Sequence, residues 1–300
     1  MVYHFPVAAH WWKTRRRLAP YAFVTPALLL LAVFTFYPVA RAFILGLCKW
    51  DVLEVPVFVG FRNYSEILQD PAFWDALSFT FRFVLVTVPL NLLLALVSAL
   101  LLNGDFPLKG FFRSLIFFPA FTSLVAIGMV WRYMYSTDYG IANYFLTLLG
   151  LTPKGWLSDL RLAPWSTFLV AIWYGYGWNT VIFLAGLQGI PREYHEAAAI
   201  DGATEWQRLR FITLPLLWPV TFFVLTMALI YAFRTFDLVY VLTQGGPGRA
   251  TLIYMMYFYK VAFVAFQMGK ACASAFILFL IILVITLLQF RFIGRIEAGE

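Results

Sequence analysis

Residues 271–290 read Ala-Cys-Ala-Ser-Ala-Phe-Ile-Leu-Phe-Leu-Ile-Ile-Leu-Val-Ile-Thr-Leu-Leu-Gln-Phe, a run that contains no charged side chain. An α-helix of about 20 apolar residues is long enough to cross the hydrocarbon layer of a membrane. The rest of the chain has the same character, because 62% of its 300 residues are hydrophobic and only 12% are charged. A soluble protein carries about a quarter charged residues. The composition therefore excludes a soluble protein and indicates a membrane protein.

Working outward from this run, the sequence contains five further apolar stretches that are long enough to cross a membrane. The alternation of apolar and polar residues that is typical of a membrane β-barrel is absent, so helices must satisfy the backbone hydrogen bonds. We therefore predict an all-α polytopic membrane protein. The six predicted transmembrane helices cover approximately residues 21–47, 76–102, 112–134, 163–189, 215–237 and 271–290.

The orientation of these helices follows from the basic residues beside every second connection. The intervening connections, at about 48–75, 135–162 and 238–270, are longer and carry about as many acids as bases. Short loops rich in Lys and Arg stay on the cytoplasmic side. We expect a multi-pass protein of the cell membrane with both termini in the cytoplasm, residues 1–20 forming a basic N-terminal segment. The residues that decide the orientation are Lys13, Arg15, Arg16, Arg17, Lys109, Arg113, Arg192, Arg208, Arg210, Arg291 and Arg295.

Several classes of function lack the residues they require. The net charge of +7 is not gathered on a soluble basic face, so nucleic-acid binding is not expected. The three His and two Cys residues are too scattered for a metal site, and no phosphate-binding loop occurs. All 15 acidic residues lie in loops or at the ends of the predicted helices, which disfavours an ion-coupled carrier. We predict no catalytic residue, no metal and no cofactor on this chain.

The connection at residues 191–214 contains signals for the start and end of helices. Pro191 stands where a helix can begin, and the residues after it are good helix formers. Gly202 can adopt the positive φ that ends a helix, and Asp201 is placed to cap the next one. The segment therefore predicts two short cytoplasmic helices that meet at a glycine. It reads Pro191-Arg-Glu-Tyr-His-Glu196-Ala197-Ala198-Ala-Ile-Asp201-Gly202-Ala-Thr-Glu-Trp-Gln-Arg-Leu-Arg-Phe-Ile212-Thr-Leu214-Pro215.

This segment resembles the EAA signature of permease subunits of binding-protein-dependent ABC importers. The match lies in Glu196-Ala197-Ala198, Gly202 after three residues, and the ending from Ile212 to Pro215 after nine more. The resemblance implies the MetI-like fold of type I ABC importers, with a permease domain over residues 21–300. It also implies that the segment docks on a cytoplasmic ATPase. The residues that the resemblance assigns to this coupling are Glu196, Ala197, Ala198, Asp201, Gly202, Ile212, Leu214 and Pro215.

Other segments resemble the carbohydrate-uptake branch of these permeases, the maltose and glycerol-phosphate type. They are Phe58-Val-Gly60-Phe-Arg-Asn63, Asp70-Pro71 and Leu242-Thr243-Gln-Gly245-Gly246-Pro247. The resemblance implies that a second permease, two ATPase subunits that bind ATP and Mg²⁺, and an external solute-binding protein complete the transporter. It also implies that the protein is surrounded by membrane lipid and that it transports a sugar or sugar-like solute.

In that branch the solute contacts come from the fourth and fifth helices. Aromatic faces pack on the C–H surfaces of sugars, while polar groups bind the hydroxyls. Ala228 and Ala232 stand where maltose permeases have polar residues, so the resemblance does not extend to maltose itself. Three roles are open to Arg234: contact with a phosphate, pairing with Asp237, or extension of its charged end to the membrane surface. Pairing with Asp237 is the role we expect first. The residues expected to line the pathway are Tyr174, Gly175, Trp178, Asn179, Ala228, Tyr231, Ala232, Arg234 and Thr235.

Two alternatives come from other classes of protein. An ion-coupled secondary transporter would need a carboxylate in mid-membrane, and an intramembrane enzyme would need a cluster of reactive side chains. Neither feature is present in the sequence. We therefore interpret the chain as a passive permease that moves with partner ATPases.

Overall fold

A computed structural model of the chain describes residues 20–297, with side chains up to Arg291. The predicted basic segment 1–20 lies outside the described residues except for Pro20, as do the side chains of Arg295 and its neighbours. Contacts divide the chain into two units. One contains the residues up to Ile67 together with Val261–Leu278, and the other contains Leu68–Lys260 together with the residues from Phe279 onward.

The described residues are mostly helical, which confirms the predicted all-α class. A single antiparallel pair, β1 (Cys48–Lys49) with β2 (Val57–Phe58), is the exception among them. The helices are α1 (Pro20–Gly46), α2 (Arg62–Leu68), α3 (Pro71–Asn103), α4 (Lys109–Phe121), α5 (Leu124–Met134), α6 (Ile141–Leu148), α7 (Leu162–Gln188), α8 (Arg192–Ile200), α9 (Glu205–Leu216), α10 (Trp218–Phe233), α11 (Asp237–Leu242), α12 (Tyr254–Tyr259) and α13 (Met268–Glu297).

Four of the six predicted transmembrane helices occur as single helices of sufficient length and hydropathy, namely α1, α3, α7 and α13. The other two are bent. The predicted helix 112–134 is the pair α4 and α5, which meet at 100°, and the predicted helix 215–237 belongs to the pair α9 and α10, which meet at 62°. Pro119 stands just before the first bend, and Pro215 and Pro219 flank the second. Proline removes a backbone donor and obstructs the preceding turn, so a bend at these places has a local cause.

The fifth predicted helix also ends earlier than expected. α10 stops at Phe233, and residues 234–236 are not helical before α11 begins at Asp237. Irregular backbone at membrane depth is tolerated where it is buried in protein or lines a water-filled space. The residues of this break line a cavity, which is described below.

The larger unit is organised around α3 and α7, which pack along their lengths. α3 begins at a capped end, where the Asp70 carboxylate accepts a hydrogen bond from the backbone N–H of Ala72 at 2.9 Å. The same carboxylate accepts a 3.0 Å bond from the Tyr257 hydroxyl, and burial together with this bond raises the pKa of Tyr257. Small residues of α3 allow close contact with larger side chains of α7 and α10. This core contains Ala95, Ala99, Leu102, Phe183, Leu184, Leu187, Leu217 and Val224.

In the smaller unit, α1 is almost wholly exposed within this chain. Gly46 at its end is buried and contacts the backbone of Ala273 on α13. The buried Asn63 side chain donates hydrogen bonds to the carbonyls of Gly46 and Cys48, at 2.9 and 2.8 Å. These bonds fix the chain where α1 turns into β1.

Candidate functional site

A cavity of about 580 Å³, open on one side, lies in the larger unit and is lined mainly by residues of α3, α7, α10 and the break after α10, with further residues from α4, α5 and α11. All nine residues that the sequence predicts for the solute pathway line this cavity. They are Tyr174, Gly175, Trp178 and Asn179 of α7, with Ala228, Tyr231, Ala232, Arg234 and Thr235 from α10 and the break. The structure thus brings together the residues predicted from two separate stretches of sequence.

The wall combines aromatic faces with hydrogen-bonding groups. Trp178 and Tyr231 are 55% and 67% exposed within this chain, so their rings are available to a bound molecule. Asn179, Thr87 and Thr235 line the same wall. Their side chains donate hydrogen bonds within the protein, and their oxygens can still accept hydrogen bonds. Aromatic rings pack on apolar sugar faces, and neutral polar groups bind hydroxyls, so this surface suits a polar ligand that has apolar faces.

The structure adds Asn91 of α3 to the predicted residues. Its carboxamide oxygen accepts a 2.6 Å bond from Asn179, and its amide nitrogen donates to the Ile172 carbonyl at 3.2 Å. A side chain at Gly175 would lie 2.7 Å from the Asn91 amide, so glycine is needed for this approach. Asn91 was missed because its partner is 88 residues away in the sequence. A polar residue within an apolar run was the available signal.

Arg234 and Asp237 both line the cavity, but the predicted pairing between them is wrong. Among the described residues, none of the ion pairs joins these two side chains. The spacing of three favours contact within a continuous helix, whereas the helix here ends at Phe233. Arg234 caps the C-terminal end of α10, and Asp237 stands in the first turn of α11. Each charge thus has a favourable helix end beside it.

A second group of predicted residues lies on the connection between α7 and α10. α8 and α9 are two helices that meet at a glycine, as the sequence predicts. Gly202 has a φ of +78°, and a Cβ atom built there meets no group of residues 20–297 within 4 Å. The turn therefore requires glycine for its backbone conformation and not for space within this chain.

The cap of α9 differs from the prediction. Thr204, not Asp201, caps this helix, with its hydroxyl accepting from the Gln207 N–H at 3.3 Å while Gln207 accepts from the Thr204 N–H at 2.7 Å. Asp201 instead ends α8. Arg208 forms an ion pair with Glu205 on the same short helix. The capping box holds α9 at a defined angle after the glycine turn.

The predicted coupling residues differ in exposure. Glu196, Ala197, Leu214 and Pro215 are exposed, whereas Ala198 is only 8% exposed and packs within the loop. Asp201, Gly202 and Ile212 border a groove of about 300 Å³ that Ala203, Gln207, Arg208 and Phe211 complete. The connection therefore carries a shaped, exposed surface.

The loop and the cavity are joined by one bent element. α9 continues the loop and meets α10 at Leu217, which is fully buried and closely packed against Gly186 of α7. The far end of α10 carries Ala228, Tyr231 and Ala232 at the cavity. The two groups of residues thus lie at opposite ends of the same bent pair of helices.

Comparisons with known proteins give the geometry its context. The family described as "Binding-protein-dependent transport system inner membrane component" matches residues 72–298. The probable ABC transporter permease protein YesP of Bacillus subtilis is 37% identical over 279 residues, which cover 91% of this chain and 90% of the relative. The arabinooligosaccharides transport system permease protein AraP of Bacillus subtilis is 36% identical over 292 residues, with 95% and 91% covered.

A solved structure supports the fold. It is described as a bacterial ABC transporter involved in the import of the acidic polysaccharide alginate. The match has a TM-score of 0.83 at 21% identity and covers 96% of this chain and 99% of the other. The fold is therefore that of ABC importer permeases.

The family match covers most of the chain, and two relatives that are more than a third identical are permease proteins over nearly their whole length. Permease components are not themselves catalytic, and ATP hydrolysis belongs to partner subunits. The chain belongs to the family of inner-membrane components of binding-protein-dependent transport systems.

Proposed function

We propose that this permease forms, with a second permease, the membrane pathway for an oligosaccharide or a similar sugar-like solute. The observation that carries the proposal is the cavity, whose wall combines Trp178 and Tyr231 with amide and hydroxyl groups. The relative AraP, named for arabinooligosaccharides, supports the same class of solute.

The coupling loop is the second part of the proposal. We propose that residues 191–214 dock on one of two cytoplasmic ATPases and that Glu196, Ala197 and Gly202 belong to the contact surface. ATP and Mg²⁺ bind to those partners, and an external binding protein delivers the solute. Free energy enters because the partners bind two conformations of the permease with different affinities. The N- and C-termini then lie in the cytoplasm.

Reconstitution of the chain with its partners tests the proposal. Uptake of a labelled oligosaccharide into proteoliposomes is expected when the second permease, the ATPases, the binding protein and ATP are all present. The chain alone is expected to give no uptake, with or without an ion gradient. Uptake by the chain alone under a proton or sodium gradient would instead establish the ion-coupled alternative.

The assignment of the cavity has its own test. Trp178→Ala and Tyr231→Ala are each expected to lower uptake about tenfold, because losing an aromatic contact surface costs about 1.4 kcal/mol. Phe223→Ala is the matched control, since Phe223 lies on α10 but outside the cavity wall. Equal losses in all three variants would show that the cavity does not bind the solute.

A further inference from the structure

The connection between α5 and α7 is a built structure with an unexplained apolar face. It contains α6, the eight-residue helix Ile141–Leu148. One side of this helix points into the protein, because Asn143 is only 4% exposed. The opposite side carries a stripe of large apolar residues at spacings of three and four, which places them on one face of a helix. The stripe consists of Ile141, Tyr144, Phe145, Leu148 and Leu149, which are 45%, 60%, 58%, 64% and 74% exposed.

Asn143 fixes the orientation of this helix. Its amide nitrogen donates to the carbonyls of Thr137 and Lys154 at 3.1 and 2.9 Å. Its oxygen accepts from the Lys154 N–H and from the Trp156 indole, both at 2.9 Å. A buried amide with this many partners holds the backbone around it in one arrangement. The apolar stripe is therefore held outward and is not the accidental face of a loose loop.

The same network sets the depth of α6 relative to α7. The Ser166 hydroxyl donates to the Trp156 carbonyl at 2.8 Å, so the loop is tied to the first turns of a membrane-spanning helix. The Asp159 carboxylate accepts from the N–H groups of Leu162 and Arg161, which lower its pKa. Trp165 is 62% exposed in the same turns. Tryptophan and tyrosine concentrate at the level of the lipid headgroups, so this end of α7 marks the interface.

The stripe is also continuous with an exposed aromatic surface at the end of α5, a helix within the third predicted membrane segment. Tyr133, in the last turn of α5, is 62% exposed, and its ring lies 5.1 Å from the ring of Tyr139, which is 65% exposed. α6 begins directly after Tyr139 and Gly140. The exposed surface thus runs from the end of α5 onto the stripe.

The charge pattern identifies the partner. No charged residue occurs between Asp138 and Lys154, a stretch that includes the whole of α6. A surface for a soluble partner is steered and oriented by charges at its rim, whereas phenylalanine and leucine are typical of the apolar face that a helix inserts at the boundary between headgroups and acyl chains.

We propose that α6 is an interfacial helix whose apolar stripe is inserted into the outer leaflet of the bilayer. It lies beside the transport cavity wall, because Ala142 of α6 packs against the cluster that includes Val170 and Leu238, and Leu238 lines the cavity. The helix anchors that wall in the lipid. The proposal needs the chain only to be embedded in a membrane, so it does not depend on which solute is carried.

Fluorescence of a labelled side chain tests the insertion. Phe145→Cys and, separately, Leu149→Cys are labelled with an environment-sensitive nitrobenzoxadiazole dye in the complete transporter in nanodiscs. Lys154→Cys is the control, because its exposed side chain lies on the same loop outside the stripe. The unmutated chain, in which Cys48 is buried and Cys272 half-buried, measures background labelling. Lipids carrying a nitroxide near the headgroup act as the quencher within the membrane, and iodide acts as the quencher in water.

The dye at positions 145 and 149 is expected to show at least about twofold stronger quenching by the nitroxide lipid than the dye at 154, with iodide ranking the positions in reverse. Stronger quenching by iodide at 145 and 149 would overturn the proposal. Relief of the lipid quenching on adding the external binding protein would also overturn it, because the stripe would then be a protein-docking surface. Failure of solute uptake with the lipid quenching intact would refute the proposed function and leave this inference standing.

Discussion

Gly202 shows how one residue can combine a backbone requirement with an exposed position. Its φ of +78° belongs to the left-handed region, which costs other residues roughly 1–2 kcal/mol. Among the residues that the structure describes, no other group lies within 4 Å of a Cβ atom built there. A side chain at this position therefore projects into the space that a docking partner would occupy.

We expect Gly202→Asp to insert into the membrane normally and to lose transport, because the new carboxylate stands in the proposed contact surface. Asp tolerates the left-handed region better than most residues, so the backbone strain is small. The measurement is uptake together with solute-stimulated ATPase activity in vesicles. Gly60→Asp is the matched control, since Gly60 also has a positive φ, +61°, and open space around it. Normal coupling in Gly202→Asp would refute the docking assignment.

Asn91 and Asn179 provide a second prediction at this scale. Hydrogen bonds between helices in membranes contribute about 0.6–2 kcal/mol each. Asn91→Ala is expected to lower the free energy of unfolding by this amount, and Asn179→Ala in the same background is expected to add less than its separate effect. Denaturation of the two single variants and the double variant measures the coupling. Asn103→Ala, at the exposed end of α3, is the control. Strictly additive effects would mean that the bond contributes nothing to stability.

The sequence predicts which residues line the cavity, but it does not predict correctly which of them contact one another. The aromatic and small residues of α7 and α10 were identified from family resemblance and do line one cavity. Asn91 was missed because its role depends on a partner in another helix. The Arg234–Asp237 pair was wrong because a spacing rule for helices was applied across a helix end. Sequence spacing describes local geometry and carries no information on distant contacts.

Bends are the main difference between predicted and observed elements. Hydropathy predicts that a segment is apolar enough to lie in a membrane but not the direction in which it runs. Residues 112–134 satisfy the composition of one helix, yet they form two helices at 100°. Pro119 was a visible signal, but a proline in a membrane helix is compatible with both a slight kink and a complete break.

A glycine of α7 allows the backbone of α4, the first helix of the bent pair, to pack closely against α7. A Cβ atom at Gly177 would overlap the carbonyl oxygen of Ile116. Gly177→Ala is expected to destabilise the protein by about 1–3 kcal/mol, because the backbone of α4 must move to accept the methyl group. Thermal denaturation of the purified protein measures this effect. Gly110→Ala on α4 meets nothing within 4 Å and is expected to be neutral or slightly stabilising. Similar melting temperatures for the two variants would contradict the close packing.

For the whole molecule, hydropathy predicts six membrane segments, and the described residues contain four single helices that are long and apolar enough to cross a membrane, together with two bent pairs at the other two positions. The orientation remains a prediction from charge. The basic residues lie beside every second connection. The positive-inside rule then assigns residues 191–214 to the cytoplasm and residues 135–162 to the outside.

Labelling from one side of the membrane tests this orientation. A membrane-impermeant maleimide is expected to label Lys154→Cys in intact cells and to label Ile200→Cys only after the cells are made permeable. Both side chains are exposed, so access depends on the side of the membrane and not on burial. Labelling of Ile200→Cys in intact cells would reverse the predicted topology and would place the EAA segment beyond reach of an ATPase.

The bend between α9 and α10 at Leu217, called the elbow here, can transmit movement along the chain. α10 has 16 residues and is about 24 Å long, so a turn of about 5° at the elbow sweeps its far tip through about 2 Å. If an ATPase pushes on α9, as we propose, then α10 rotates with α9, and the end of α10 that carries Tyr231 moves. Movement then reaches the cavity without a chain of side-chain rearrangements between the two sites. The displacement of the end of α10 depends on how rigid the bend at Leu217 is.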